Sequence, residues 1–487
     1  MKKTILTAVL IVSFSFCQAA PFAWAGGGED TSETQILVDM LVDSGVLTGE
    51  QAKAFASKAK ELAARKKAEA SRRARARGPR SEGYGNLVET RWDNRLEFET
   101  RDGNFKGAIG GRVHADAVYV SAENDLENFL RPGGDFNRRN DRALIRRARI
   151  YIEGDVYRDF FYKLQYDFTD SLNNENEIDG LRGAYIGMQN IPYIGKFRVG
   201  QFKEPFSLEE LTSSNYITFI ERGLPNVFTP GYSWGAGINN SWLDNRVTFG
   251  LGAFRNSINS GTMSSSNEWG LTTRITGLPW YEDDDRLLHI GTSYSLRFPS
   301  EWRGGSNNNT IDLDTGPELR TRDDFVNTTN INVNMENLLG FEGALVYGPL
   351  SLQGEFIGGW MDDSYDGQVS SPETSFLYGA YGYVSYFLTG EHRKFDKSRG
   401  EFEEISPITN FSISDGTWGA WELAARYSHI DLNNKDVNIN GGVLNDITVG
   451  VNWYLNPVMR IMFNYVHSHR NGIGYADGVQ ARFQVEF

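Results

Sequence analysis

Apolar and polar residues alternate with a period of two along most of the chain, from about Arg91 to Phe487. Residues 421–428 show the pattern, with Trp421, Leu423, Ala425 and Tyr427 on one side and Glu422, Arg426 and Ser428 on the other. Because successive side chains of a strand point to opposite faces, this alternation predicts strands with one apolar and one polar face. We therefore expect this region to be all-β.

The connections between the strand-length runs separate two kinds of β protein. A soluble sandwich also alternates, with its apolar face buried in a core. Here tight turns at 157–159 and 456–457 alternate with long polar loops at 121–140, 299–335 and 389–416. Short turns at one end and long loops at the other are typical of outer-membrane barrels. The pattern predicts a transmembrane antiparallel β-barrel over residues 91–487, with these long loops at one end.

The end of the chain and the number of strands refine this prediction. Phe487 ends an alternating run in which Val485 and Phe483 oppose Glu486 and Gln484, as in the terminal strand that outer-membrane assembly reads. About 17 candidate segments lie between residues 94 and 487. Single-chain bacterial barrels have even strand numbers, so we expect about 16 strands and an aqueous channel, since a barrel of that size is too wide for side chains to fill.

The N-terminal part of the chain has a different pattern. Lys2, Lys3, an apolar run over 4–16 and Ala23-Trp24-Ala25 predict a signal peptide, residues 1–25, cleaved after Ala25. The apolar run is shorter than the roughly 20 residues that a membrane-spanning helix needs. Cys17, the only cysteine, raises a lipoprotein alternative, but Phe14-Ser15-Phe16 lacks the usual preceding context. The chain is thus expected to be exported to the bacterial outer membrane.

Residues 26–85 are predicted to form a short helical or coiled-coil extension in the periplasm, followed by a basic linker. Apolar residues recur there at helical spacing, and Thr48 with Gln51 fits a capping box. A disordered basic linker is the alternative, favoured for 68–85. The helices could also tether the protein to peptidoglycan or another periplasmic partner.

Composition and charge exclude several functions. The net charge of -14 argues against nucleic acid, whose phosphates require a basic face. His467 and His469 share a strand face, but no third ligand is in view, so we predict no metal site; residues 173–179 could hold calcium, though a solvated loop fits them better. Ser428 and His429 are adjacent and point to opposite faces, so they cannot form a nucleophile–base pair. We expect no enzyme and no cofactor.

Several stretches resemble the phosphate-selective porin O and P family. They are LIRRAR (144–149), FFYKLQYDF (160–168), VGQFKEPFSLEELTSS (199–214) with Glu221-Arg222, YFLTGEHR (386–393), GAWEL (419–423) and VGVNWY (449–454). The resemblance covers about residue 100 to the end, in consistent order. It implies a sixteen-stranded homotrimeric barrel with a constriction loop at 203–231 and an anion path lined by arginines and lysines.

The matching positions give candidate anion-binding residues. The resemblance places Arg146, Arg147, Ser213, Ser214 and Arg222 along the path. Alternation adds further lumen-facing cations, namely Arg149, Arg112 and Lys163. It also puts Arg146 on the lipid face, so that this residue must lie at a strand end or a bend to take part. Guanidinium groups suit the task because each gives several donors to an anion that has lost its water.

The sequence departs from the family pattern at Glu209, Glu210 and Phe161, where basic residues would strengthen anion binding. Two functions therefore stay open: passive uptake of small anions, including phosphate or polyphosphate, or a general or sugar-selective porin. We expect most lumen-facing arginines to pair with lumen carboxylates such as Asp116 and Glu422 and brace the wall. They are Arg112, Arg198, Arg274, Arg297, Arg426, Arg460 and Arg482.

Overall fold

The computed structural model describes residues 88–171, 180–255, 269–299, 301–303, 306–308, 310–364 and 373–487. The predicted signal peptide (1–25) and helical extension with its basic linker (26–85) lie outside the described residues, as does the acidic stretch 173–179. No helix among the described residues is long and apolar enough to cross a membrane.

A hairpin precedes the barrel. Strands β1 (Val88–Trp92) and β2 (Leu96–Thr100) pair antiparallel. β2 then pairs with the first residues of the next strand, Phe105–Ala122, at Lys106 to Ile109. The period-two pattern from residue 91 thus begins in this hairpin, and the first strand of the closed wall begins at Phe105.

Sixteen strands form the barrel. They are β3 (Phe105–Ala122), β4 (Arg142–Val156), β5 (Phe160–Asp167), β6 (Leu181–Ile191), β7 (Gly195–Lys203), β8 (Tyr232–Trp242), β9 (Val247–Arg255), β10 (Trp269–Asp283), β11 (Arg286–Phe298), β12 (Met335–Tyr347), β13 (Leu350–Ser364), β14 (Glu373–Phe387), β15 (Ala420–Asn434), β16 (Ile439–Asn456), β17 (Met459–Arg470) and β18 (Gly474–Glu486).

Each strand pairs antiparallel with its neighbours, and β18 pairs with β3 to close the barrel. The terminal Phe487 extends this closure, since its N–H donates to the Gly111 carbonyl at 3.0 Å. Sixteen barrel strands and β2 together account for seventeen segments after residue 94, one more than the barrel contains. The predicted all-β barrel is confirmed.

The predicted alternation is also confirmed in most strands. In β15, Glu422, Arg426 and Ser428 are buried, whereas Leu423 and Tyr427 are exposed on the outer wall. The buried set faces the lumen because residues of the connecting loops contact it, as described below. The exposed apolar set forms the surface that meets lipid.

The connections fill much of the lumen at the end of the barrel opposite the chain terminus, here called the loop end. Helices α1 (Asn124–Leu130) and α2 (Phe136–Asn140) follow β3, and α3 (Phe168–Ser171) follows β5. Short strand pairs occupy the connection between β11 and β12: Glu301–Arg303 with Ser306–Asn308, Thr310–Ile311 with Ile331–Asn332, and Asp314–Thr315 with Val326–Asn327. Leu126, Phe136, Leu319 and Phe325 from these connections are buried in one apolar cluster with inward residues of the strands.

One long connection lies at the opposite end, here called the turn end. Residues 388–419 join β14 to β15 and include the pair Phe395–Asp396 with Glu401–Phe402. The prediction that 389–416 is a loop at the same end as 121–140 was wrong. Strand direction alternates around the barrel, so this connection falls on the side of the tight turns at 157–159 and 457–458. We call it the turn-end insert; it folds into the lumen, where the Gly400 carbonyl accepts from Arg274 of β10 at 2.8 Å.

Candidate functional site

The constriction loop predicted at 203–231 corresponds to the connection between β7 and β8, residues 204–231, which crosses the lumen. Its helical turn α4 (Leu208–Leu211) is capped by Ser207, whose hydroxyl accepts from the Glu210 N–H at 3.1 Å. A 3-10 turn, Leu224–Phe228, follows. The Leu224 N–H donates to Ser428 of β15 at 2.9 Å, so the loop reaches the far wall.

A β-bulge turns Arg146 into the lumen. Pairing between β3 and β4 shifts there: His114 lies opposite Arg147, but Ala115 lies opposite Ile145, which leaves Arg146 as the extra residue. A bulge of this kind redirects a side chain. The Arg146 Nε donates to Glu221 of the constriction loop at 3.1 Å. Of the two positions expected for Arg146, a strand end or a bend, the structure has a bend, and this bend is internal to the strand.

Arg147 and Arg112 lie beside this bulge and have no carboxylate partner among the described residues. Arg147 is 5 % exposed, and its Nε and Nη1 atoms have no hydrogen-bond partner in the described part of the chain. Arg112 donates from Nη1 to the hydroxyls of Ser213 and Ser214 at 3.1 and 3.0 Å. The structure therefore brings together four of the predicted residues, Arg112, Arg147, Ser213 and Ser214, on one side of the lumen.

The other three predicted residues are ion-paired. Arg149 bonds Asp167 of β5 at 2.6 Å, and Lys163 bonds Glu153 at 2.7 Å. Arg222 lies 3.2 Å from Glu210 and also donates to carbonyls of its own loop, so it holds the loop's shape. These contacts with its own loop explain the position of the Arg222 side chain without a bound anion.

The carboxylates of the constriction loop are also in pairs. Glu221 accepts from Arg146 and from Arg482, the latter at 3.2 Å, and Glu209 accepts from Arg426 at 3.1 Å. Burial alone would raise the pKa of Glu221, which lies in the loop, but Arg146 and Arg482 outweigh it and hold the pKa well below its ordinary value. These carboxylates are therefore neutralised by neighbouring guanidinium groups.

The bracing expected of the other lumen arginines is found for four of them. Arg274 pairs with Glu342 at 2.6 Å, Arg297 with Glu204 at 2.9 Å, Arg426 with Glu318 at 2.6 Å, and Arg482 with Asp116 at 2.7 Å. Arg460 instead donates to the Ile217 carbonyl at 2.9 Å, and Arg198 lies over the Phe202 ring at 4.3 Å.

The structure gives the positions of the residues considered above as a nucleophile–base pair and as metal ligands. Ser428 is buried on the lumen face and His429 bonds Asn445 on the outer wall, so the two side chains do diverge. His467 bonds Asp477 at 2.8 Å, and within the described residues no group of three or more His, Cys, Asp or Glu could hold a metal.

Sequence reasoning missed further cations near Arg146. Arg182 lies at a second register shift, between β5 and β6, and its strongest charged neighbours are Arg149 and Asp167. Arg142 of β4 donates to the backbone carbonyl of Arg320 at 2.7 Å, so Arg320 of the loop-end connection lies near the same strand. A bulge has no clear signature in a period-two pattern, so alternation by itself could not have found Arg182.

Comparison with known families assigns the barrel. The family model described as "Phosphate-selective porin O and P" matches residues 110–487. The chain belongs to this family. Members are channels of the bacterial outer membrane, and the match begins within β3 and ends at the terminal Phe487.

Two relatives match at the level of sequence. Porin O of Pseudomonas aeruginosa is 25% identical over 428 residues, which are 80% of this chain and 91% of that protein. An uncharacterised protein of Caulobacter vibrioides is 24% identical over 396 residues, which are 78% of this chain and 71% of that protein.

Solved porins resemble the barrel at lower identity. An anion-selective porin from Comamonas acidovorans has a TM-score of 0.45 and 11% identity, and covers 79% of this chain and 100% of its own. The outer-membrane channel DcaP of Acinetobacter baumannii has a TM-score of 0.44 and 12% identity over 80% of this chain and 99% of its own.

Proposed function

We propose that this porin passes small anions passively through its lumen, with inorganic phosphate among them. Arg147 is the observation that supports this most directly. A buried donor without a partner costs about 1–3 kcal/mol, and more when it is charged. An anion in the lumen that accepts from Arg147 would offset that cost.

The charges around Arg147 favour the same function. Its strongest charged neighbours are three guanidinium groups, of Arg146, Arg149 and Arg482, and one carboxylate, Glu221. The excess is positive at this point although the whole chain is acidic. A local excess of fixed cations beside a narrow passage attracts anions and repels cations.

Phosphate is the finer part of the proposal. A tetrahedral oxyanion has several acceptor oxygens, and Arg147, Arg112 and the hydroxyls of Ser213 and Ser214 present donors from two strands and the loop. The hydroxyls add donors without adding charge, which keeps binding weak enough for the ion to leave. The description of the matching family, "Phosphate-selective porin O and P", supports phosphate.

We also propose that the mature protein begins after Ala25, that it forms a homotrimer, as the family resemblance implies, and that residues 26–85 reach into the periplasm. N-terminal sequencing of protein from outer membranes tests the first point, and light scattering of the detergent-solubilised protein tests the second. Co-sedimentation with peptidoglycan, with and without residues 26–85, tests a tether.

Planar bilayers test anion passage and phosphate separately. The reversal potential is measured across a potassium chloride gradient, and the chloride current is then titrated with phosphate. We expect an anion-selective channel whose chloride current falls as phosphate is added, until the effect saturates. Cation selectivity would overturn the proposal, and anion selectivity that phosphate leaves unchanged would favour a general porin.

A further inference from the structure

A cavity of about 250 Å³ opens in the turn-end half of the lumen, away from the Arg147 side chain. One side is the wall of β5 to β10, and the other is the turn-end insert, through Ser398, Arg399 and Glu401. The wall side is not lined by the predicted anion-binding residues. Its most prominent groups are aromatic rings and two cations on β7.

The rings form a continuous chain of edge-to-face contacts. Phe161 lies 6.1 Å from Tyr185 with their planes at 75°, Tyr185 lies 5.9 Å from Phe202 at 78°, and Phe202 lies 5.3 Å from Phe254 at 68°. Phe202 and Phe254 are buried, whereas Phe161 and Tyr185 keep exposed surface. The chain therefore ends in two rings that a ligand could reach.

Glycines in the wall make room for these rings. A Cβ placed on Gly187 would lie 2.3 Å from Cζ of Phe161, and one placed on Gly237 would lie 3.3 Å from Cζ of Phe202. The rings consequently lie against the backbone of the wall instead of filling the centre. This arrangement leaves the space between the wall and the insert open.

Two cations accompany the rings. Arg198 lies 4.3 Å from the centre of Phe202 and 5.8 Å from that of Tyr185, and Lys196 lies 5.8 Å from that of Phe161. Neither forms an ion pair with a carboxylate within the described parts of the chain, and Lys196 is exposed. In contrast, Arg274 and Arg399, which also line the cavity, are paired with Glu342 and Glu403.

We propose that this cavity is a binding site for an aryl carboxylate, a flat aromatic ring bearing one carboxylate. The carboxylate would accept from Arg198 and Lys196, and the ring would continue the edge-to-face chain beyond Phe161 and Tyr185. An aromatic guest gains from the ring quadrupoles in addition to area burial, whereas a saturated ring of similar size gains from area alone. The inference rests on the proposed anion passage in one respect: the aryl carboxylate would reach the cavity by the same lumen.

Benzoate and cyclohexanecarboxylate form the matched pair of probes, since they have the same charge and similar size. Each is added to the turn-end side of the full-length porin in a planar bilayer, and the concentration that halves the chloride current is measured. We expect benzoate to act at a concentration about two- to tenfold lower, the range that an added aromatic contact gives. Equal half-blocking concentrations would overturn the proposal.

Variants locate the effect. F161L and Y185L should each reduce the difference between the half-blocking concentrations of the two acids. R198Q should raise both half-blocking concentrations by a similar factor. F197L is the control, because Phe197 is exposed on the outer face of the same strand and should leave the ratio unchanged. Closure of each barrel is checked by its heat-dependent mobility on gels. If F161L and Y185L both keep the wild-type ratio, the site is wrong.

The reversal potential without either acid separates this inference from the proposed function. A cation-selective channel that still distinguishes benzoate from cyclohexanecarboxylate would reject anion selectivity and keep the aryl carboxylate site. An anion-selective channel that treats the acids alike would do the opposite.

Discussion

Two adjoining stretches of the barrel wall contain lumen arginines with different partners. On the strands from β15 to β18, Arg426 and Arg482 are completely buried and each contacts two carboxylates, which fixes the constriction loop and the loop-end connection to the wall. On β3 and β4, Arg112 and Arg147 have no carboxylate partner among the described residues. The same side chain on the same kind of strand thus braces the loops in Arg426 and Arg482 and offers donors to the lumen in Arg112 and Arg147. The two roles differ in the partners of the arginine side chain, since the side chain points into the lumen in both.

The largest expected effect comes from breaking the braced side. Arg426 contacts Glu318 at 2.6 Å and Glu209 at 3.1 Å, and R426M removes the cation that is paired with both buried carboxylates. Removing one member of a buried pair costs about 3–5 kcal/mol. We expect a clearly lower unfolding midpoint in urea. The R426M/E209Q/E318Q variant should recover much of the loss, and an unchanged midpoint in R426M would remove the distinction between the walls.

On the open side, R147Q should change selectivity and leave stability nearly intact. Arg147 has no described ion pair, so its removal frees no carboxylate. We expect the anion-to-cation permeability ratio to fall roughly three- to tenfold, equivalent to about 0.7–1.4 kcal/mol. The measurement is the reversal potential in a salt gradient. A ratio equal to that of the wild type would show that Arg147 does not face the ion path.

E221Q should convert Arg146 from an ion-paired arginine into one without that carboxylate. Glu221 accepts from Arg146 at 3.1 Å, so the substitution removes the charge that neutralises Arg146. We expect the permeability ratio to rise about two- to threefold, less at high salt because screening shortens the range of the field. E342Q, which affects Arg274 of β10, is the matched control and should shift the ratio less.

The smallest effect concerns the loop end and pH. Arg131 and Asn140 donate to Asp323 at 3.1 and 2.8 Å. Burial alone would raise the pKa of Asp323, but these hydrogen bonds outweigh it and lower the pKa. A lowered pKa contributes stability above the ordinary value near 4, and this is lost as the pH falls through the lowered value.

Hydrogen exchange over 124–140 measures this docking. D323N should exchange faster than the wild type at pH 5, and this difference should shrink as the pH falls through the lowered pKa of Asp323 and the carboxyl becomes protonated. A difference that stays the same throughout an acid titration would mean that the charge of Asp323 is not what holds the helices.

Much of the wall followed from the sequence. Alternation correctly assigned Arg149, Lys163 and Arg426 to the lumen, because a strand side chain has only two directions. The family resemblance added the constriction loop and Ser213 and Ser214, which alternation cannot address because a loop has no fixed period. The position of Arg146 needed the structure, since an inserted residue shifts the direction of every side chain beyond it.

The sequence by itself determined the alternating strands of the wall, the terminal strand that ends at Phe487 and the face of most side chains, since all three depend on a local period of two. Only the tertiary structure decided which arginines are paired, because Arg426 and Glu318 are far apart in the chain and meet only when a loop folds into the lumen. It likewise decided that residues 388–419 enter from the turn end and enclose the aromatic cavity. Those outcomes depend on contacts between distant segments, which no local pattern records.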